Sequence, residues 1–148
     1  MLQDQAALAI TDGTIGGNGH SFGISLLGGA TADFVRVEVV DGFATWALLD
    51  QAAVSLTDCI NAGEFVPFGE TSLSVTGSET VLLWITLFDG SAIDTVLPPP
   101  GDLADFQLDG TTPWAVNIPY AVHLSDCRNV MWALMARSGS HAAVRDSP

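Results

Sequence analysis

Residues 34–49 have the sequence FVRVEVVDGFATWALL, in which two β-prone runs flank the dipeptide Asp41-Gly42. Both residues of this dipeptide tolerate the positive φ angles that a two-residue type I′ turn requires, so the segment predicts a β-hairpin. The register of that hairpin places these apolar side chains on one face: Val35, Val37, Val39, Ala44, Trp46 and Leu48. Because the turn and the alternation agree, we expect an antiparallel strand pair with one buried face.

A second Asp-Gly dipeptide, Asp89-Gly90, separates the β-prone residues 80–88 from residues 91–97. The same rule predicts a second hairpin. Residues 81–88 are apolar on both faces of a strand, which is typical of a central strand of a sandwich or of a strand covered by another subunit. In either case this strand belongs to a core.

Shorter strand candidates recur about every ten residues, with turn-forming residues between them. They are residues 21–27, 53–57, 64–68, 72–76 and 114–124. This spacing predicts an all-β fold, an antiparallel β-sandwich or barrel-like sandwich with little helix. A short helix over residues 3–10 is compatible with the pattern. Residues 126–137 fit either a capped helix or a strand, and we favour a strand because it completes the sheet.

The chain has 148 residues, enough for one domain with a substantial core. We predict a flexible N-terminal arm over residues 1–20, a sandwich domain over 21–137 and a C-terminal tail over 138–148. The glycine-rich residues 12–23 match neither the phosphate-binding loop nor the dinucleotide-binding motif. Pro98-Pro99-Pro100-Gly101 is interpreted as a crossover loop within the one domain, because proline ends strands. No internal repeat is clear.

Composition excludes several classes of protein. Lys+Arg number 4 against 17 Asp+Glu, so the net charge is −13, and no cluster of bases could neutralise a run of phosphates. Apolar residues make up 48%, which excludes a wholly disordered chain. The longest apolar run is too short to cross a bilayer, and the N-terminus lacks the features of a signal peptide. The acidity arises from missing bases, and three alternative explanations are compatible with it: solubility through anionic repulsion, a biased genome or a saline habitat.

Two cysteines, Cys59 and Cys127, allow one disulfide, but we favour buried free thiols because cysteine often behaves as a small core residue. The three histidines, His20, His123 and His141, lie far apart in sequence. A metal site built from nitrogen and sulfur ligands usually shows a closely spaced pair. The sequence therefore predicts no metal and no cofactor.

The sequence contains no complete catalytic or calcium-binding motif. His20-Ser21 lacks the Gly-x-Ser-x-Gly pattern of a nucleophile elbow. Asp102, Asp105 and Asp109 would share a helical face, but they lack the order of a calcium-binding loop. With no clustered acid, base and nucleophile, we do not expect an enzyme.

Tryptophans offer one alternative function. Trp46 and Trp84 fall inside apolar strand patterns, which favours packing in a core or interface. Trp114 lies at a loop edge, where an exposed indole could stack on a sugar ring. A carbohydrate-binding β-sandwich that uses Trp114 and nearby carboxylates, with or without calcium, is therefore the alternative hypothesis.

The leading hypothesis is a non-enzymatic structural subunit of a larger assembly, a capsid decoration protein or a head or tail protein of a virion. High apolar content with little charge, and a strand apolar on both faces, favour burial against neighbouring copies or a larger shell protein. We expect a homo-oligomer in the virion, with the cytoplasm as the alternative location. The predicted interface residues are Trp84, Phe88, Trp114, Gly139, His141 and Val144.

Overall fold

The protein is built from β-strands, as predicted, and the described residues contain no helix. The structure, a computed structural model, describes residues 1–68, 70–87, 92–108, 121–136 and 141–146. These residues form ten strands: β1 (Ala7–Leu26), β2 (Thr31–Leu49), β3 (Ala53–Thr57), β4 (Gly63–Phe68), β5 (Ser72–Thr76), β6 (Glu79–Leu87), β7 (Ala92–Leu97), β8 (Gly101–Leu108), β9 (Ala121–Ala136) and β10 (His141–Asp146). Because none of the described residues is helical, no helix among them could cross a membrane.

The strands stack in parallel as the coils of a solenoid. Strand β2 pairs with β1 on one side and with both β3 and β4 on the other. Strands β3 and β4 pair in turn with β5 and β6, and both of these pair with β9. We therefore number five coils: coil 1 is β1, coil 2 is β2, coil 3 is β3 with β4, coil 4 is β5 with β6, and coil 5 is β9. Strands β7 and β10 form a separate parallel pair.

Each coil turns at a residue with a left-handed backbone. The pairing of successive strands superimposes the residues that follow Thr11, Val35 and their counterparts in later coils. These corner residues are Asp12, Arg36, Asp58, Gly77 and Asp126, with φ between 51° and 62°. The left-handed region costs most L-residues about 1–2 kcal/mol, and Gly, Asn and Asp tolerate it best. The corner therefore selects these short residues in all coils but the second.

A second corner repeats the same solution. Asn61, Thr80 and Asn129 have φ of 53°, 59° and 52°. The side-chain amide of Asn61 donates to the carbonyl oxygen of Val39 in the coil before it (2.9 Å), and that of Asn129 donates to the Thr80 hydroxyl (3.4 Å). Side chains at this corner thus bond along the solenoid axis.

The inward-facing side chains form columns that run through the coils. Trp46 is 1% exposed, stacks on Phe65 of the next coil with ring centroids 5.8 Å apart, and meets Phe34 edge-on at 5.1 Å. Its indole N–H donates to the carbonyl oxygen of Ala62 (2.9 Å). Each coil buries its apolar face mainly against the coils above and below it, as in other solenoid proteins.

The predicted antiparallel sandwich is wrong, because both predicted hairpins are absent as strand pairs. Residues 34–49 lie within the single strand β2, which pairs in parallel with its neighbours. Asp41 does have a positive φ of 51°, as the turn required, but the chain bends there and runs on around the coil. The second predicted hairpin is absent too, because β6 pairs with β9, and β7 pairs with β10. The bend uses a positive φ at Asp41 only, whereas the hairpin turn would need it at Gly42 as well, and Asp-Gly is compatible with both conformations.

Several strand predictions are confirmed. Strands β3 and β5 coincide with the predicted residues 53–57 and 72–76, and β6 lies between two other strands of the sheet. Residues 126–136 belong to strand β9, as favoured. The helix over residues 3–10 is wrong, since β1 begins at Ala7. The glycine-rich stretch, expected in a loop or arm, lies within β1.

Cys59 and Cys127 are buried free thiols, as favoured from the sequence. They occupy equivalent positions in coils 3 and 5, and Ser78 of coil 4 lies between them, its hydroxyl accepting a hydrogen bond from the Cys59 N–H (3.0 Å). Two strand spacings amount to about 10 Å. Since a disulfide needs Cα atoms within about 7 Å, the stacking itself prevents one.

Gly63 provides a test of the tight coil packing. It has a φ of 103°, and a Cβ atom at this position would overlap the carbonyl oxygen of Ala44 in coil 2. We expect Gly63→Ala to lower the free energy of unfolding by about 3 kcal/mol, through backbone strain and steric overlap. Gly23→Ala is the control, because a Cβ there meets nothing within 4 Å. Urea denaturation measures both, and equal stability of the two variants would contradict the stacking of Gly63 on Ala44.

The two thiols are expected to be unreactive in the native protein. Burial raises the pKa of both Cys59 and Cys127, so the reactive thiolate is scarce as well as inaccessible. Titration with a chromogenic disulfide reagent at pH 8 should detect no fast-reacting thiol before unfolding and two equivalents after it. A fast-reacting thiol in the native protein would show that the corner columns open.

Candidate functional site

The first strand leaves one edge of the solenoid without a β-partner. Strand β1 pairs with β2 along its whole length, apart from a bulge between Gly16 and His20. On its other edge, the described residues provide one contact, in which Leu2 exchanges backbone hydrogen bonds with Ser25 and Leu27 (2.8 and 3.0 Å). An uncovered strand edge presents unpaired N–H and C=O groups and is a template for another strand.

The core is incompletely covered at this same end. Five apolar side chains of coil 1 are only partly buried: Leu8, Ile10, Ile15, Phe22 and Ile24. Their register partners in coil 2 are at most 5% exposed: Ala32, Phe34, Val39, Ala44 and Trp46. The two sets occupy the same columns and differ only in whether another coil lies beyond them. The partial exposure is therefore a property of the end of the stack.

The opposite end carries an additional strand, which covers residues 122–130 of β9. Strand β8 runs antiparallel to β9 and pairs with it from Gly101 opposite Val130 to Leu108 opposite Val122. Its Phe106 meets Trp132 edge-on, with ring centroids 4.9 Å apart. Beneath this strand Val122 is 1% exposed. Strand β8 thus caps coil 5, and the two ends of the solenoid differ.

Electrostatics also distinguish the uncovered strand. In a chain with 17 carboxylates, β1 carries only one, Asp12. Arg36 of coil 2 holds Asp12 through two hydrogen bonds, from Nε to Oδ1 and from Nη2 to Oδ2 (2.8 Å). This pairing lowers the pKa of the Asp12 carboxyl below its usual value of 3.8. Strand β1 itself therefore carries almost no net charge.

A shallow polar groove lies beside this ion pair. It has a volume of about 320 Å³, and its lining includes Asp12, Arg36, Glu38 and Asp58. The only base is already engaged by a carboxylate, so the groove offers no free cation for an anionic ligand. Within the described ranges, no group of three or more His, Cys, Asp or Glu side chains is placed to hold a metal ion.

None of the residues predicted as an interface lies on β1, and three of them lie outside the described part of the chain. Trp84 lies on β6, where it is half-buried, and its indole N–H is buried without a hydrogen-bond partner among the described residues. His141 and Val144 lie on β10, whose backbone pairs with β7. Phe88, Trp114 and Gly139 fall outside the described residues. The structure does not bring these six positions together in a described site.

The calcium and sugar candidates are placed as follows. Asp102 and Asp105 lie on β8, so the helical face that would have clustered them does not exist. The Asp105 carboxylate pairs with His123 on β9 (2.9 Å), and Asp109 lies outside the described residues. Trp46 belongs to the core, as favoured from its apolar strand. Trp114, on which the sugar-binding hypothesis depends, is not described.

Strand β1 was not predicted as a site, because its glycines are typical of a flexible arm. A usable signal was a repeat that spans coils 3 and 5. Residues 53–61 are AVSLTDCIN and residues 121–129 are AVHLSDCRN, which share the pattern Ala-Val-x-Leu-(Thr/Ser)-Asp-Cys-x-Asn. These segments stack two coils apart. Each contributes an Asp to the first left-handed corner and an Asn to the second. Recognising the repeat would have predicted a solenoid, whose end coils are exposed by construction.

The Asp12–Arg36 pair has a measurable consequence. Replacing the guanidinium in Arg36→Asn, which also suits the left-handed backbone, should raise the pKa of Asp12 towards 3.8 in an NMR titration. Because the folded-state pKa is lowered, the pair stabilises the native state above pH 3.8, and this stabilisation is lost as the pH falls through the folded-state pKa. Arg128→Asn, which removes a distant guanidinium paired with Glu79, is the control. An unchanged Asp12 titration in Arg36→Asn would contradict the pairing.

Comparison with known proteins leaves the chain's own geometry as the basis for a function. No protein-family model, curated protein or solved structure matches it. The candidate site is therefore defined by the uncovered edge of β1 and the five partly buried side chains of coil 1.

Proposed function

We propose that this protein is a non-enzymatic structural subunit of a larger assembly, and that it joins its neighbour through coil 1. The observation that carries the proposal is the contrast between the two ends. Strand β8 covers coil 5, whereas coil 1 leaves apolar columns and a strand edge uncovered by the described residues. Solenoid proteins normally end in a cap with a polar outer face, so an apolar end favours a partner.

The edge of β1 also lacks the usual protection against association. Exposed edge strands are commonly blocked by lysine, proline, inward-pointing charges or a covering element. Strand β1 contains no lysine and no proline, and its inward-facing positions are apolar. The strand turns at Asp12, and the bulge between Gly16 and His20 is its one protective feature of this kind. These features favour association over solubility at this end.

A virion is the proposed setting, in which the subunit decorates a capsid or forms part of a head or tail. The net charge of −13 keeps the free subunit soluble through mutual repulsion, while the low charge of β1 still permits contact. Met131, which is 37% exposed, lies beside Leu82 in the sheet, and both occupy the outward-facing positions next to Trp84. This outer surface of coils 4 and 5 is the proposed contact with a larger shell protein.

The solution mass of the chain tests the proposal. Light scattering after gel filtration should give more than 15.5 kDa at micromolar concentration, with stronger association near molar salt as repulsion between the acidic chains is screened. Amide hydrogen exchange should show that β1 gains protection as the protein concentration rises. A mass of 15.5 kDa at low and high salt, with unprotected β1 amides throughout, would contradict the structural role.

A further inference from the structure

We propose that the partner of coil 1 is a second copy of this chain, and that the two β1 strands pair antiparallel across a two-fold axis near Gly16. The inference rests on the proposed function and names the partner of the same site. The joint sheet would continue from coil 1 of one copy into coil 1 of the other, with one hydrophobic core running through both.

The two ends of the solenoid do not match each other. Head-to-tail growth would place β1 of one copy beside β8 of the next, because β8 lies along residues 122–130 of β9. Strand β8 has 8 residues against the 20 of β1, so it could pair with only part of the uncovered edge, whereas a second β1 has the matching length. Contact of a surface with itself is isologous and closes as a two-fold dimer. Two coils that meet end to end across such an axis run in opposite directions, so their strands pair antiparallel.

The alternation in the two arms of β1, residues 7–11 and 20–26, excludes registers shifted by one residue, and the register proposed has Gly16 at the axis. With Gly16 at the axis, Leu8 lies opposite Ile24 of the second copy, and Ile10 lies opposite its Phe22. All four side chains face the interior of the solenoid. Residues opposite each other in an antiparallel pair point to the same face, so both pairs would complete the core columns that coil 1 leaves open. A shift of one residue would set inward-facing positions opposite outward-facing ones.

The limits of the uncovered edge agree with this register. Leu2 occupies the edge at Ser25 and Leu27, so a second copy can pair only up to Ile24. At the other limit Leu8, near the start of β1 at Ala7, is the residue that faces Ile24. The pairing thus spans the uncovered part of the strand.

The charged residues of β1 and the space around Gly16 are compatible with the same arrangement. Asp12 would lie opposite His20 of the second copy, and both residues are exposed. An imidazole can donate a hydrogen bond to a carboxylate, so the one acid of β1 faces a donor and no other acid. Gly16 has open space around a notional Cβ, which lets two backbones approach at the axis.

Cross-linking at the axis tests the geometry directly. In Gly16→Cys the two new thiols should be close enough for a short bismaleimide to link the copies, giving a covalent dimer of twice 15.5 kDa on a denaturing gel. Thr31→Cys is the matched control, because Thr31 is exposed but lies on coil 2. The native thiols are buried and do not compete.

A charge on the inward face tests the register. Ile10→Asp would bury a carboxylate in the joint core and should weaken dimerisation roughly tenfold or more. Ala9→Asp adds the same charge to the exposed face of the same strand and should leave the dimer within about threefold of the original affinity. Circular dichroism checks that both variants remain folded, and the cross-linking experiment stands if Ile10→Asp unfolds.

The outcomes separate this inference from the proposed function. A dimer that Gly16→Cys cross-links and Thr31→Cys does not supports both. Association that exceeds two copies, or a dimer in which Gly16→Cys fails to cross-link, overturns the two-fold pairing and leaves the structural role standing. A monomer at every salt and protein concentration overturns both.

Discussion

Left-handed backbone at the corners is the constraint on which the whole structure depends. Every coil must turn at the same place, and the stacked residues there, from Asp12 to Asp126, all adopt a positive φ. The turn also resets the alternation of the strand. In β2, Ala32 and Phe34 face the core before the corner at Arg36, and Val37 and Val39 face it afterwards. Without that reset, half of the apolar residues in each coil would point to solvent.

Stacking then converts short apolar runs into a continuous core. Trp46, Phe65 and Leu83 occupy one column in successive coils and are at most 1% exposed. Each coil needs only its neighbours, so coils of unequal length coexist, and the segment between β6 and β9 can leave the stack. That segment supplies β8, which returns to cover coil 5.

A stack built in this way has two ends, and their difference carries the functional proposal. One end is capped by an antiparallel strand and shields Val122 and Leu124. The other ends in side chains such as Ile10 and Phe22, which occupy core columns but are only partly buried. The free energy that would come from burying these side chains is available to a partner, and the low charge of β1 keeps the acidic chain from opposing it. The end of the stack is therefore the natural place for assembly.

The local sequence pattern by itself determined the position of several strands and the burial of several side chains. Alternation and turn residues located β3, β5 and β6, identified Trp46 as a core residue and favoured buried free thiols at Cys59 and Cys127. These features depend on which side chains are buried, and the order of apolar and polar residues along the chain determines that. The strand that forms the candidate site, β1, could not be recognised from local pattern, because its glycines are equally typical of a loop.

Only the tertiary structure decided which strands pair and in which direction. An alternating strand buries one face equally well in a sandwich or in a solenoid, and Asp41-Gly42 accepts a positive φ in a hairpin or at a bend. The choice was made by contacts between residues distant in sequence, such as Ser72 beside Ala121. The open and closed ends exist only once those contacts are made, so the candidate site could not be found in any single stretch of the chain.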